Sequence, residues 1–197
     1  MKLKFCVFLI LILKVVSIKA SISCTFFGNV TDYRCILGIY NTEGRDDFEE
    51  ISGQHFDGLS DTDVLFVSNS NQNTKNLPRI ICRSFPRLTV IDIITSNIQE
   101  MTARTLQSCF NLRTLNLWEN NITALPANLL RNNFNLRALR ISRNQVLEID
   151  EHALSGSNLF DLDLSFNRII SSNFDFINSV NGTLLMFSVE FNNILSL

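Results

Sequence analysis

The stretch Leu112-Arg-Thr-Leu-Asn-Leu-Trp-Glu-Asn-Asn-Ile122 decides how the chain is read. Apolar residues fill its first, fourth, sixth and eleventh places, and Asn120 fills the ninth. Leu115 and Leu117 alternate with polar neighbours, the period-two pattern of a short strand with one buried face. The same frame recurs. First-place residues are Leu88, Leu112, Leu136, Leu159 and Leu184, spaced by 24, 24, 23 and 25 residues. The fourth and sixth places read Ile91/Ile93, Leu115/Leu117, Leu139/Ile141, Leu162/Leu164 and Phe187/Val189, and the eleventh reads Ile98, Ile122, Val146, Ile169 and Ile194. Five aligned copies predict a solenoid in which each copy gives one strand and one return. Stacking then buries a core that no single copy could bury alone.

The ninth place reads Ser96, Asn120, Asn144, Asn167 and Asn192. Each turn leaves backbone donors and acceptors inside the stack that must be paired. An amide side chain offers both kinds of partner, so Asn120, Asn144, Asn167 and Asn192 are expected to form a ladder bonded to the coils above and below. Ser96 offers less, and the first regular turn is expected to be looser. Between strands, Leu125-Pro126-Ala127-Asn128-Leu129-Leu130 with Phe134, and Met101 with Leu106 and Phe110, read as short helical or 3-10 pieces on the convex side. Before the regular frame, Val64-Leu65-Phe66-Val67 reads as an irregular first strand. Either Val64 and Phe66 or Leu65 and Val67 face inward.

The chain opens with Met1-Lys-Leu-Lys4 and an apolar run from Phe5 to Leu13, a basic and then hydrophobic pattern that predicts a secretion signal over residues 1–20, with Ala20 at the cut. The competing reading, a membrane anchor, needs ~20 apolar residues, and no later stretch spans a membrane either. Lys2, Lys4, Lys14 and Lys19 leave with the signal. Seventeen basic residues less these four, against 19 acidic ones, leaves −6. That balance argues against nucleic acid as a partner. Three sequons, at Asn29, Asn121 and Asn181, fit a secreted glycoprotein, although each also serves as a polar turn.

Four cysteines remain after the signal. Cys24 and Cys35 frame an aromatic, turn-rich segment that reads as a β-hairpin closed by a disulfide, worth on the order of 3 kcal/mol, capping the apolar end of the solenoid. Residues 21–60 are therefore the cap and lead-in, and 61–197 the repeats, about six with an irregular first and an incomplete last. Cys82 and Cys109 fall on the convex side of adjacent copies. They can bridge if their Cα atoms come within about 7 Å, and are otherwise two buried thiols. The acidic run Glu43–Glu50 reads as a solvated loop, and His55, between two glycines, as a turn or packing residue rather than a metal ligand.

The copies Leu88–Ile98, Leu112–Leu125, Leu136–Ile149, Leu159–Ile169 and Leu184–Leu197 resemble the extracellular leucine-rich-repeat family: Toll-type ectodomains, Slit-like modules and small secreted repeat proteins of insects. The lead-in Gly53-Gln-His-Phe-Asp-Gly58 looks like the insect group. The resemblance implies an α/β horseshoe with a parallel concave sheet. It also implies extracellular recognition of proteins or molecular patterns, often in innate immunity, adhesion or neuronal guidance. The chain departs from the family in lacking a C-terminal cysteine cap; the expectation is a truncated product, or an end edge that pairs with another chain.

Residues between the inward places face the concave side. They run Val90, Asp92, Ile94, Thr95; Thr114, Asn116, Trp118, Glu119; Ala138, Arg140, Ser142, Arg143; Asp161, Asp163, Ser165, Phe166; and Met186, Ser188, Glu190, Phe191. Ile94, Asn116, Trp118, Glu119, Arg140, Arg143, Asp161, Asp163 and Phe166 are the candidate ligand-binding residues, because aromatic and Arg residues dominate protein hot spots. Trp118 stands out, since the frame does not require it, and Arg140 and Arg143 are expected to pair in part with Asp161 and Asp163 across strands. Ordinary exposed strand positions are the bland alternative. Lys75, Arg79, Arg83 and Arg87 recur every four residues and, if helical, line one face that could meet a heparin-like glycan or an anionic membrane surface. No phosphate loop, nucleophile elbow or metal frame is present, so neither an enzyme nor a cofactor is expected. The expected function is a secreted protein-binding module. The alternatives are an assembly protein, forming homo- or hetero-oligomers through its C-terminal edge, and a glycan or membrane-surface binder.

Overall fold

A computed structural model of the chain describes residues 21–40, 48–70, 73–170 and 174–194. The expected signal over 1–20, Glu43, Asp46 and Asp47 of the acidic run, and Leu197 lie outside the described residues.

The fold is a parallel-sheet solenoid of about five turns. Six coil strands, β4 (Phe66–Ser70), β5 (Val90–Ile94), β6 (Thr114–Asn116), β8 (Ala138–Arg140), β10 (Asp161–Asp163) and β11 (Met186–Ser188), stack in sequence order and in parallel. Leu115 pairs with Ile91 and Leu139, and Leu139 with Leu162, so each fourth-place residue sits on the next. The inward side chains from Ile91 to Leu164 are excluded from solvent. The stack is thus one continuous apolar core, and truncating one such Leu would cost roughly 2–5 kcal/mol.

The first strand follows neither expected alternation. Val67 pairs with Ile91 and Asn69 with Ile93, which puts Val64 at the first place, Val67 at the fourth and Asn69 at the sixth. Val64, Val67 and Asn69 are buried, while Leu65 and Phe66 are half-buried. The alternation was hard to read because a polar residue occupies an inward place.

The cap is a hairpin of β1 (Ser21–Phe27) and β2 (Arg34–Tyr40), closed by Cys24–Cys35 with Cα atoms 5.3 Å apart. It is continuous with the coils: β2 pairs in parallel with β4, and β3 (Ile51–Ser52) extends the far edge beside β1. Arg34 holds Asp32 at 2.7 Å and lies 4.7 Å over the Phe66 ring, tying the hairpin to the first coil. His55 packs on Phe26 at 4.0 Å, meets the buried Tyr33 hydroxyl at 3.0 Å and lies 3.0 Å from Asp61. It is a packing residue beneath the hairpin.

The convex side holds less helix than an α/β reading implies. Among the described residues it has one five-residue helix, α1 (Ile80–Ser84), a 3-10 turn at Asp175–Ile177, and a two-stranded parallel ribbon of β7 (Ala124–Leu125) and β9 (Glu148–Ile149). Elsewhere the returns are chains of turns, such as Thr105 N–H to Thr102 O and Cys109 N–H to Leu106 O. Outside α1 these short returns do not propagate an α-helix, whose first turn is costly to nucleate. Lys75, Arg79, Arg83 and Arg87 therefore share no helical face: α1 contains only Arg83. Cys82 and Cys109 form a disulfide between adjacent returns, Cα atoms 5.0 Å apart. Met101, Leu106, Leu129 and Leu130 are buried, but Phe110 and Phe134 point outward, 59% and 61% exposed.

Candidate binding surface

The ninth-place residues shape the surface. Asn120 accepts from Ser96 N–H and Ile98 N–H at 3.1 and 3.0 Å, and donates to Ile93 O at 2.9 Å and to Leu117 O at 3.0 Å. Asn144 accepts from Ile122 N–H and donates to Leu117 O; Asn167 accepts from Val146 N–H and donates to Ile141 O; Asn192 accepts from Ile169 N–H and donates to Leu164 O. Each amide reaches back to the preceding coil and into its own, not forward, because its own turn already engages the face towards the next coil. Ser96 reaches back only weakly, its hydroxyl lying 3.4 Å from Asn69 Oδ1. Its hydroxyl donates to Ile94 O at 2.7 Å, and its backbone carbonyl takes Thr74 N–H instead.

This turn forces the eighth residue of each of the five regular coils into the left-handed region. Thr95, Glu119, Arg143, Phe166 and Phe191 have φ between 51 and 57°. Such a conformation is uncommon for non-glycine residues and costs roughly 1–2 kcal/mol each. The backbone N–H groups there still bond to the next coil, as Glu119 does to Ser142 O and Phe166 to Glu190 O. The side chains are thereby turned out along one edge of the concave sheet.

That edge carries a row of rings and one cation. The Arg143 guanidinium lies 5.9 Å from the Trp118 ring centroid and 4.7 Å from that of Phe166, and Phe166 stacks on Phe191 at 4.3 Å and 13°. Trp118 is half-buried, while Phe166 and Phe191 are 40% and 72% exposed. Ile94 occupies Trp118's place one coil earlier and is half-buried. Arg143 thus engages rings rather than a carboxylate. Arg140 makes the cross-strand ion pair, at 2.7 Å to Asp161. Asp163 accepts from Ser165 N–H and hydroxyl, and Asn116 donates to Asp92 at 2.8 Å. The exposed Glu119 side chain has no partner among the described residues.

Asn121, the middle sequon, belongs to a second amide row at the tenth place. It donates to Asn97 and accepts from Gln145 at 2.6 Å, while Asn97 donates to Asn73. The row was legible as amides at 24-residue spacing. Asn29 lies in an exposed turn, accepting from Thr31 N–H and hydroxyl, and Asn181 is exposed. Among the described residues no group of three or more His, Cys, Asp or Glu could hold a metal, and no helix is long and apolar enough to cross a membrane.

Residues 110–169 match the leucine rich repeat family model. The coils on either side of the matched residues repeat the same geometry, so the fold is that of a leucine-rich-repeat solenoid. No curated protein matches it in sequence. Solved structures share its fold. One is a chain of the TLR13–ssRNA13 complex, with TM-score 0.65 and 24% identity over 68% of this chain and 19% of that one. Another is a chain of the Toll–Spatzle complex of Drosophila, described as a molecular hub in development and innate immunity, with TM-score 0.61 and 23% identity over 68% and 19%. A third comes from the octameric complex of Latrophilin 3, Unc5D and FLRT2, with TM-score 0.57 and 20% identity over 66% and 39%. The matched part spans about a fifth of the first two chains, and the likeness shows the fold.

Proposed function

We propose that the chain is a secreted, glycosylated recognition module that binds a protein partner on its concave face, in a setting such as innate immunity or adhesion. The observation that carries this reading is the row Trp118–Arg143–Phe166–Phe191. Left-handed backbone turns Arg143, Phe166 and Phe191 outward, Phe166 stacks on Phe191, and the Arg143 guanidinium bridges Phe166 to the half-buried Trp118. Backbone strain that aims side chains at solvent is a mark of a functional surface, and rings with Arg supply most hot-spot energy in protein interfaces. Two disulfides fit an oxidising compartment. The solved neighbours named for protein complexes support the partner class. The concave places carry Asp92, Glu119, Asp161, Asp163 and Glu190 against Arg140 and Arg143, a balance that disfavours a phosphate backbone there.

The test uses the mature chain as bait in extracellular fluid, followed by affinity measurement with the captured protein. Trp118→Ala and Phe166→Ala should each weaken binding by ~2 kcal/mol or more. Unchanged affinity across Trp118, Phe166, Ile94 and Arg140 variants would sink the concave-face reading. N-terminal sequencing of the product released by expressing cells should start near Ser21; retention of residues 1–20 in a cell-bound product would remove the secretion reading.

A further inference from the structure

The charged residues of the early coils are segregated. All eight basic residues between 73 and 137 lie outside the concave places of the frame, whereas Asp92 and Glu119, two of the three acidic ones, lie on it. On the convex side, between the returns that follow β5 and β6, is a cleft of about 400 Å3. Its polar lining is Arg104, Gln107, Asn128, Arg131 and Asn132, with Ala103 and the buried Leu129 alongside. Neither guanidinium has a carboxylate partner among the described residues, and the side chains of Gln107 and Asn128 make no hydrogen bond there. Asn132 donates to Gln107 O at 3.2 Å. Asn128 holds a left-handed backbone at φ 59°, and its N–H is bonded to His152 O. Gly156 closes on the Arg131 carbonyl so tightly that an added Cβ would come within 2.4 Å of that oxygen. The backbone that carries Arg131 is therefore fixed by the next return, and that of Arg104 by local bonds to Thr102 and Gln107, while the two guanidiniums stay open. The carboxylates of that return, Asp150 and Glu151, are turned to local partners: Asp150 accepts from His152 N–H at 2.8 Å, and Glu151 lies 3.7 Å from the His152 ring.

We propose that this cleft is a binding site for a sulfated polysaccharide. Two unpaired guanidiniums supply charge-assisted hydrogen bonds to sulfate or carboxylate oxygens. Amides with donors and acceptors free match ring hydroxyls. Arg83 stands one coil before Gln107 in the row that also holds Arg131, each 24 residues from the next, so a further cation lies along the convex side in the direction a chain polymer would run. The lining contains no aromatic ring, which a single-stranded nucleic acid would need for base stacking. The site lies on the opposite side of the solenoid from the Trp118 row, so the two assignments fail independently.

The experiment measures binding of a heparin-derived oligosaccharide to the mature chain as a function of salt. The wild type should bind with a salt slope that counts the cations engaged. Arg104→Ala and Arg131→Ala should each lower the slope by about one and weaken affinity several-fold at physiological salt, with thermal unfolding unchanged. Arg168→Ala, which removes an exposed cation on another side of the coil, should leave both quantities as they were. Gln107→Ala should weaken affinity with the slope unchanged, a readout that nonspecific charge attraction would not give. An Arg168 effect as large as those of Arg104 and Arg131, or no binding by the wild type, overturns the site. Stronger binding to phosphatidylserine vesicles or to a single-stranded RNA of equal charge overturns the ligand class.

Discussion

Replacing Asn120 by Ala should cost far more than the loss of one polar side chain usually does. Asn120 is buried and makes hydrogen bonds into two coils. Not all of its partners are orphaned by its removal. Leu117 O still receives Asn144 at 2.9 Å, and Trp118 O still receives Thr95 N–H. Ser96 N–H, Ile98 N–H and Ile93 O are left without a partner inside the stack. At ~1–3 kcal/mol for each buried unsatisfied group, with some relief from entering water, the expected loss is about 3–5 kcal/mol. Asn192→Ala gives the internal comparison. Its partners are the same in kind, but its site is half-buried and water reaches it, so about 1–2 kcal/mol is expected. Urea unfolding of the disulfide-intact chain, followed by far-ultraviolet circular dichroism, measures both, provided the transitions remain single and their slopes agree. If Asn120→Ala costs under about 1 kcal/mol, or no more than Asn192→Ala, the ladder does not hold the coils together in the way described.

Three further outcomes follow from other parts of the fold. Gly156→Ala should destabilise the chain by at least about 2 kcal/mol, because its φ of +91° disfavours a side chain and the new Cβ would meet Arg131 O; an unchanged urea midpoint would contradict this. Joint replacement of Cys82 and Cys109 by Ala, which opens a loop 27 residues apart in sequence, should cost about 3 kcal/mol, and peptide mapping under non-reducing conditions should find the bridge in the wild type. The Arg34 guanidinium hydrogen-bonded to Asp32 holds that carboxyl below the usual aspartate value. A depressed folded-state value means that the pair's contribution is present above the ordinary aspartate range and is lost as pH falls through the lower, folded value. An NMR titration of the Asp32 carboxyl should therefore end below that range, and Arg34→Gln should bring it back.

Much of the fold was legible because the frame is a strict spatial code. A residue at the fourth or sixth place is inward in every coil, so a Leu or Ile there reads the same way five times. Legibility failed where a coil substituted another chemistry at a coded place. Asn69 at a sixth place concealed the first strand, and Ser96 at a ninth place required a backbone bond that no side-chain pattern announces. The spacing of Lys75, Arg79, Arg83 and Arg87 suggested a helix, but their segment belongs to a return whose length is set by the neighbouring coils rather than by its own periodicity. On the concave face the code gave which residues share an edge, but not which would touch. Arg143 was expected beside Asp161 or Asp163, yet its eighth place turns it sideways along the stack, over Trp118 and Phe166. The convex cleft was harder to see, since Arg104 and Asn128, and Gln107 and Arg131, are related only by 24-residue offsets between segments that lack a strand pattern.

The turn that builds the ladder and the turn that builds the binding edge are the same turn, and this couples stability to function. The amide at the ninth place draws in the carbonyls of the sixth and seventh residues, Leu117 and Trp118 in the third coil, and so sets the left-handed eighth residue between them. A substitution at Asn144 or Asn167 thus acts twice: it orphans buried backbone groups, and it releases the constraint that aims Arg143 or Phe166 outward. Phe166 stacks between the Arg143 guanidinium and Phe191. Loosening one rung therefore disorders rings contributed by its neighbours as well. Ladder variants should for that reason lose partner affinity at temperatures where they remain fully folded, whereas inward Leu→Ala variants of matched stability should not. The distinction separates a surface that is merely carried by the fold from one whose geometry is set by the same hydrogen bonds that hold the coils in register.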